Sequence, residues 1–240
     1  MPNGWIWKEP GAPGWEVHLL NTESSFIFDV TWMGIRKGGR RFYALKNSSI
    51  VHVHTPEVVG PDYTLTLAND PVIVNPFPRG LTNNKKHFVS TVWDLTSATT
   101  DTLQYNDLQG RFIKGFQFSD GPIKKSRALV YLNHDFYVLQ DGSNDPVASG
   151  LRVYDGRGKL IRIIALPNGV FAKGITTDGK DLYLINTAGA GAGTILKIDV
   201  RGNVVDTHPI GVSTETEVTR WPLTFNGRYL LLNVFEGGPG

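Results

Sequence analysis

Four basic residues recur just ahead of small or apolar pairs: Arg79 before Gly80-Leu81, Arg127 before Ala128-Leu129, Lys173 before Gly174-Ile175 and Arg220 before Trp221-Pro222. The comparable position nearer the N-terminus holds Asp29. Guanidinium and ammonium groups gathered round one opening can hold a carboxylate or phosphate, Arg through two parallel bonds. The same cations can instead be neutralised by acids such as Asp29, Asp120 or Glu217, because structural ion pairs are common. Trp93 and Trp221 offer faces for stacking on a sugar, or serve as packing. A carboxylate pair such as Asp94 with Asp29 or Glu217 has the composition of a glycoside-hydrolase site.

Other chemistries fit less well. Asp141-Gly-Ser-Asn-Asp145 opens like a calcium loop, but Pro146 stands where the sharp turn needs Gly and Arg152 where the bidentate Glu belongs. Ala188 to Gly193 has closely spaced glycines, yet Thr194 replaces the last Gly of a dinucleotide fingerprint. That stretch reads as a flexible loop. His52 and His54 share a strand face, while His18, His87, His134 and His208 are scattered, which is no metal signature. There is no cysteine and no G-x-S-x-G sequence. No cofactor and no metal are expected.

The elements that must position these groups show a repeat. Arg41-Phe-Tyr-Ala-Leu45, His87-Phe-Val-Ser-Thr91, Asp135-Phe-Tyr-Val-Leu139, Asp181-Leu-Tyr-Leu-Ile185 and Arg228-Tyr-Leu-Leu-Leu232 read as five equivalent strands. Their aromatics Tyr43, Phe88, Tyr137, Tyr183 and Tyr229 are 45, 49, 46 and 46 residues apart, the length of a four-stranded propeller blade. Hairpins follow the anchors, with D-x-x-G turns at Asp107–Gly110, Asp155–Gly158 and Asp199–Gly202. Asp accepts from its own downstream backbone and Gly tolerates positive φ, so the motif is a turn by mechanism. In the first unit, Ile50–His54 and Tyr63–Leu67 are expected as third and fourth strands.

The last unit stops after two strands, and the N-terminus supplies Trp5–Glu9 and Trp15–Leu20. Pairing the two ends would close a ring and remove both free sheet edges. The expected fold is therefore all-β: a five-bladed β-propeller of four-stranded antiparallel blades, with N-terminal strands completing the last blade. One domain, 1–240, would hold blades at about 25–70, 71–118, 119–166, 167–212, and 213–240 plus 1–24.

The pattern resembles propellers of the NHL and SMP-30/gluconolactonase-like type. Lys173-Gly-Ile-Thr-Thr-Asp-Gly179, Leu182-Tyr-Leu-Ile-Asn186 and Lys197-Ile-Asp-Val-Arg-Gly-Asn203 carry the likeness. It is a likeness of blades, so it implies fold and little about function. Those families usually have six blades, against the five counted here.

The loops from fourth to next first strand, and from second to third, would share one face. Asp70, Asp94, Asp120, Glu23, Glu215 and Glu217 make it acid-rich around the inner cations. The opposite face carries the hairpin turns with Arg36, Lys85, Lys86, Arg111, Arg157, Lys159, Lys180 and Arg201, diluted by neighbouring Asp residues. A net charge of +2 does not point to nucleic acid. No membrane span or secretory signal is read, which fits a cytoplasmic or particle-associated protein. The expectation is a non-enzymatic binding or assembly module for a protein or glycan, including a homo-oligomer or a component of a virion. The alternative is a lactonase- or glycoside-hydrolase-like enzyme.

Overall fold

The computed structural model describes residues 4–8, 20–21, 27–36, 39–46, 49–53, 57–59, 62–64, 67–74, 78–94, 99–124, 126–140, 150–189, 191–209, 223–225 and 230–234. Among these residues there are strands and turns and no helix. Four large antiparallel sheets follow one another along the chain. Sheet I is Ile27–Arg36, Gly39–Lys46, Ser49–Val53 and Leu67–Val74. Sheet II is Pro78–Asn83, Phe88–Asp94, Thr99–Asn106 and Phe112–Gln117, with Ile123–Lys124 added beside its third strand. Sheet III is Ser126–Leu132, Asp135–Gln140, Gly150–Tyr154 and Leu160–Ala165. Sheet IV is Val170–Thr177, Leu182–Gly189, Thr194–Ile198 and Val204–Pro209. In sheet V, Leu230–Val234 lies between Leu223–Phe225 and the N-terminal strand Gly4–Lys8.

Period-two alternation lets each sheet present an apolar face on both sides. On the second strand of sheet III, Phe136 and Val138 face sheet II, joining Val89, Leu103, Tyr105 and Phe118. Tyr137 and Leu139 face the other way, onto Leu182 and Leu184 of sheet IV. Leu139, Leu151, Val153, Leu182 and Leu184 are fully buried. Each such side chain contributes roughly 1.5–3 kcal/mol of transfer free energy.

First strands meet first strands. Ile27–Arg36 touches Pro78–Asn83, which touches Ser126–Leu132; that strand touches Val170–Thr177, which touches Leu223–Phe225, and this last strand touches Ile27–Arg36. Between sheets II and III the first strands run the same way. The Tyr131 N–H donates to Thr82 Oγ1 at 3.1 Å, and a β-carbon added at Gly80 would sit 2.7 Å from Leu129 Cβ. Gly80 is thus required by close approach rather than by conformation.

The three D-x-x-G turns form as the residues dictate. Gly110, Gly158 and Gly202 N–H donate to the carbonyls of Asp107, Asp155 and Asp199 at 3.0–3.1 Å, with φ of 89°, 76° and 94°. The second and third of these turns also pack on the preceding sheet. Tyr105 of sheet II donates its hydroxyl to the Gly156 carbonyl at 2.9 Å, and Gly202 lies against Ile164 of sheet III.

The pairing corrects the sequence reading in two places. The fourth strand of sheet I is Leu67–Val74, while Asp62–Thr64 pairs with Leu20–Asn21 and Glu57–Val59 in a separate small sheet. Asn69-Asp70-Pro71 reads as loop, but Pro71 falls at a register shift on an outer strand, where a missing N–H is tolerated. In sheet II the residue equivalent to Tyr137 and Tyr183 is Val89 rather than Phe88. Val89 pairs with Tyr105, two residues before its turn Asp, as Tyr137 pairs with Val153 and Tyr183 with Lys197. A one-residue slip moves a side chain to the opposite face. The expected strand Trp15–Leu20 and the anchor Tyr229 lie largely or wholly outside the described residues.

Candidate functional site

At one end of sheets I to IV the ladder between first and second strands skips a residue. In sheet II the register passes from Gly80 opposite Thr91 to Pro78 opposite Val92, leaving Arg79 in the bulge. In sheet III it passes from Ala128 to Ser126, leaving Arg127. In sheet IV it passes from Gly174 to Ala172, leaving Lys173. The same element thus carries a cation at the same step in three consecutive sheets. A bulge re-aims one side chain out of the alternating pattern.

The bulges are braced from the second strand. Thr91 Oγ1 accepts from Gly80 N–H at 3.1 Å. In sheet IV the buried Asn186 accepts from Phe171 N–H at 2.9 Å, and Thr187 donates to the Phe171 carbonyl at 3.1 Å. These bonds satisfy backbone groups that the interrupted ladder leaves over. Arg79 and Lys173 are half-buried, and both take part in polar or electrostatic interactions.

Sheet I departs from the expectation. Its bulge falls at Phe28, between Ile27 opposite Lys46 and Asp29 opposite Leu45. Asp29 therefore shares the register of Gly80, Ala128 and Gly174 rather than that of the cations. Trp93 and Asp94 end the second strand of sheet II just beyond the Arg79 bulge. Trp93 pairs with Thr100 and Asp94 with Thr99, and the same threonines pair on their other side with Ile123 and Lys124. Arg220, Trp221, Glu23, Glu215, Glu217 and the loop 141–149 lie outside the described residues.

The sequence reading did not find a polar cluster between sheets II and III. Arg152 pairs with Asp120, and its Nε donates to Gln140 Oε1 at 3.0 Å. Beside it the Tyr154 ring stacks on Phe118 at 4.2 Å. Burial, reinforced by the nearby Asp120 charge, pushes the Tyr154 hydroxyl well above its ordinary pKa. The available signal was Arg152 interrupting the apolar strand Leu151-Arg-Val-Tyr154, a charge that needs a partner once its neighbours are buried.

Gly191 and Gly193 take φ of 72° and 77°, and Gly193 N–H closes onto the Asn186 carbonyl at 2.9 Å. This end of the glycine-rich stretch is a bonded turn rather than the loose loop expected. Among the described residues no group of three or more His, Cys, Asp or Glu could hold a metal ion. None of the described residues forms a helix long and apolar enough to cross a membrane.

The arrangement of sheets matches solved structures. The chain superposes on a Myxococcus xanthus glutaminyl cyclase with a TM-score of 0.52 and 12% identity, over 87% of this chain and 92% of that one. The fold is that of a β-propeller. Weaker likenesses are to a protein from Bacteroides caccae (TM-score 0.49, 10% identity, 90% of this chain and 75% of that one) and to a nidogen/laminin complex structure (0.46, 12%, 86% and 93%). No protein-family model matches the sequence, and no curated protein matches it. At these identities the likeness speaks for the propeller architecture alone.

Proposed function

We propose that this chain is a five-bladed propeller that works as a non-catalytic binding or assembly module, taking an anionic group of a protein or glycan at the bulged ends of its blades. The observation that carries this reading is the recurrence of a cation at the same bulge, Arg79, Arg127 and Lys173, in three consecutive sheets. A bulged strand held by second-strand side chains fixes its cation more firmly than a loop would. Arg220 is the proposed fourth member. Trp93, Asp94 and Trp221 are proposed to flank the bound group, with Asp29 on the neighbouring blade.

Five blades are supported by the circuit of first-strand contacts from sheet I through sheet V and back. Closure through the N-terminus is supported by Gly4–Lys8 pairing with Leu230–Val234, Gly4 opposite Val234 and Lys8 opposite Leu230. The proposed blades are about 25–70, 71–118, 119–166, 167–212, and 213–240 with 1–24, in one domain over 1–240. The position of Leu67–Val74 carries the end of the first blade a few residues further. The blade sequences retain their resemblance to the NHL and SMP-30/gluconolactonase-like type.

The test is a thermal-shift and binding screen with phosphate, citrate and an array of acidic and neutral glycans, since a ligand bound only to the folded state raises its melting temperature. Stabilisation by an anion or acidic glycan that Arg79→Ala and Lys173→Ala abolish is the expected result. Stabilisation by Ca²⁺ reversed by a chelator, with turnover of a lactone or glycoside, would replace this reading with the enzymatic one built on Asp94.

A further inference from the structure

The end of the sheets opposite the bulges has a different chemistry. In an antiparallel meander the first hairpin and the third-to-fourth-strand turn fall at the same end. That end carries the tips of the first hairpins and the D-x-x-G turns. Its acids point their oxygens inward. Asp155 Oδ1 accepts from Arg157 and Lys159 N–H at 2.7 and 3.0 Å. Asp199 Oδ1 accepts from Arg201 and Asn203 N–H at 2.8 and 2.9 Å. Asp178 accepts from Lys180 and Asp181 N–H and from the Tyr183 hydroxyl at 2.8–2.9 Å. Asp181 is buried and pairs with Lys197 at 3.1 Å.

The cations between those acids are turned outward. Arg157, Lys159, Lys180 and Arg201 are exposed, and so is Arg111, which also reaches Asp107 at 2.7 Å. In sheet II, Asn83 and Asn84 accept the N–H groups of Lys85, Lys86 and His87, holding Lys85 at φ 71° with Lys85 and Lys86 exposed at the tip. The acids counted in sequence as diluting this face are therefore tied up in turns, and the groups that meet a partner first are cationic.

A second feature coincides with the first. Among the residues whose side-chain exposure is described, the exposed large apolar ones all lie on fourth strands, which leave these basic turns. Phe112 is 64% exposed and Ile113 follows it in sheet II; Ile161 and Ile163 are exposed in sheet III, and Val204 and Val205 in sheet IV. A soluble polyanion would engage the cations and leave these apolar groups in water. A membrane interface takes both: anionic headgroups attract Lys and Arg, and Phe, Ile and Val enter the boundary between headgroups and acyl chains.

We propose that the hairpin end of this propeller docks on an anionic lipid surface. Exposed turn cations supply the attraction, and the apolar residues nearest the turns, Phe112, Ile113, Ile161, Val204 and Val205, supply shallow insertion. The surface is separate from the bulged end, so the two proposals stand or fall independently.

The experiment is co-sedimentation of the whole chain with phosphatidylcholine vesicles, with and without phosphatidylserine, in low and high salt. Wild type should bind the anionic vesicles, release in high salt and ignore the neutral ones. Arg157→Glu with Lys159→Glu should weaken binding by about tenfold or more, since each cation near such a surface contributes about fivefold. Lys86→Glu with Lys180→Glu, on different turns, should do the same and guards against a folding defect in the first pair. Phe112→Ser with Val205→Ser should also weaken binding while the melting temperature holds. Three results would overturn the proposal: no binding to anionic vesicles, equal binding to neutral ones, or apolar variants that bind like wild type. The last, combined with tight heparin binding, would mark a site for soluble polyanions.

Discussion

At the hairpin ends of the sheets, Asp155 and Asp199 commit their carboxylates to backbone N–H groups and leave Arg157 and Arg201 in water. At the bulged ends Arg79 and Lys173 are half-buried beside glycines. The first arrangement is local: four or five consecutive residues close a turn whatever the neighbouring sheet does. The second is tertiary, because the approach of Leu129 from the next sheet leaves room only for glycine at position 80. Charge held by a turn is displayed, whereas charge held by a packed bulge is positioned. The bulged end is accordingly the better candidate for specific recognition, and the hairpin end for adhesion.

This contrast predicts unequal tolerance to substitution. The largest effect belongs to Gly80→Val. Its first added carbon would stand 2.7 Å from Leu129 Cβ and 2.8 Å from Leu129 N, and overpacking of that kind costs about 3 kcal/mol. Urea unfolding measures it. Thr91→Val comes next, because Thr91 is fully buried and its loss strands the Gly80 N–H, at about 1–2 kcal/mol. Gly179→Ala, at a hairpin tip with open space but φ of 94°, should cost about 1 kcal/mol from conformation alone. If Gly179→Ala proves costlier than Gly80→Val, the bulged ends are not the packed ones.

Two smaller effects belong to the hairpin end and are read by pH. Tyr105, which donates to the turn at Gly156, and Tyr183, which donates to Asp178, both have hydroxyl pKa values pushed up to about 12, mainly by burial. A folded-state pKa above the unfolded value of about 10 means that the native state keeps protons the unfolded state releases. That stabilisation is whole below about pH 10 and drains away as pH rises through about 12. Tyr105→Phe should flatten this alkaline loss, read by thermal melts across that range. The smallest effect is on the acid side. Hydrogen bonds from Asn203, Arg201 and Gly202 hold the Asp199 carboxyl below its usual range, so its contribution is present above the unfolded pKa and lost as pH falls through the folded one. Asp199→Asn should keep the turn and slightly blunt the acid limb.

What was legible in sequence follows the same division. The D-x-x-G turns were readable because Asp and Gly act on their own neighbours, and all three close as expected. The second strands were readable from apolar runs. Register was not. Phe88 stood in for Val89, and Asp29 for Phe28, because a bulge inserts a residue without a local signature and strand partners are set by the ladder. The sequence places an outer strand at Tyr63–Leu67, but Leu67–Val74 is the strand that pairs, with Pro71 inside it, a residue that usually marks a break. The Arg152–Asp120 pair joins residues thirty-two positions apart across two sheets, and no spacing rule reaches that far.

The central claim is that the bulge cations serve one bound group rather than separate structural pairs. A double-mutant cycle on Arg79→Ala and Lys173→Ala, read by calorimetric titration with the anion that the screen selects, addresses it directly. Cations sharing a ligand are coupled, so the double variant should lose clearly less affinity than the two single losses added together. Strictly additive losses, or single variants that bind the anion as wild type does, would contradict the account.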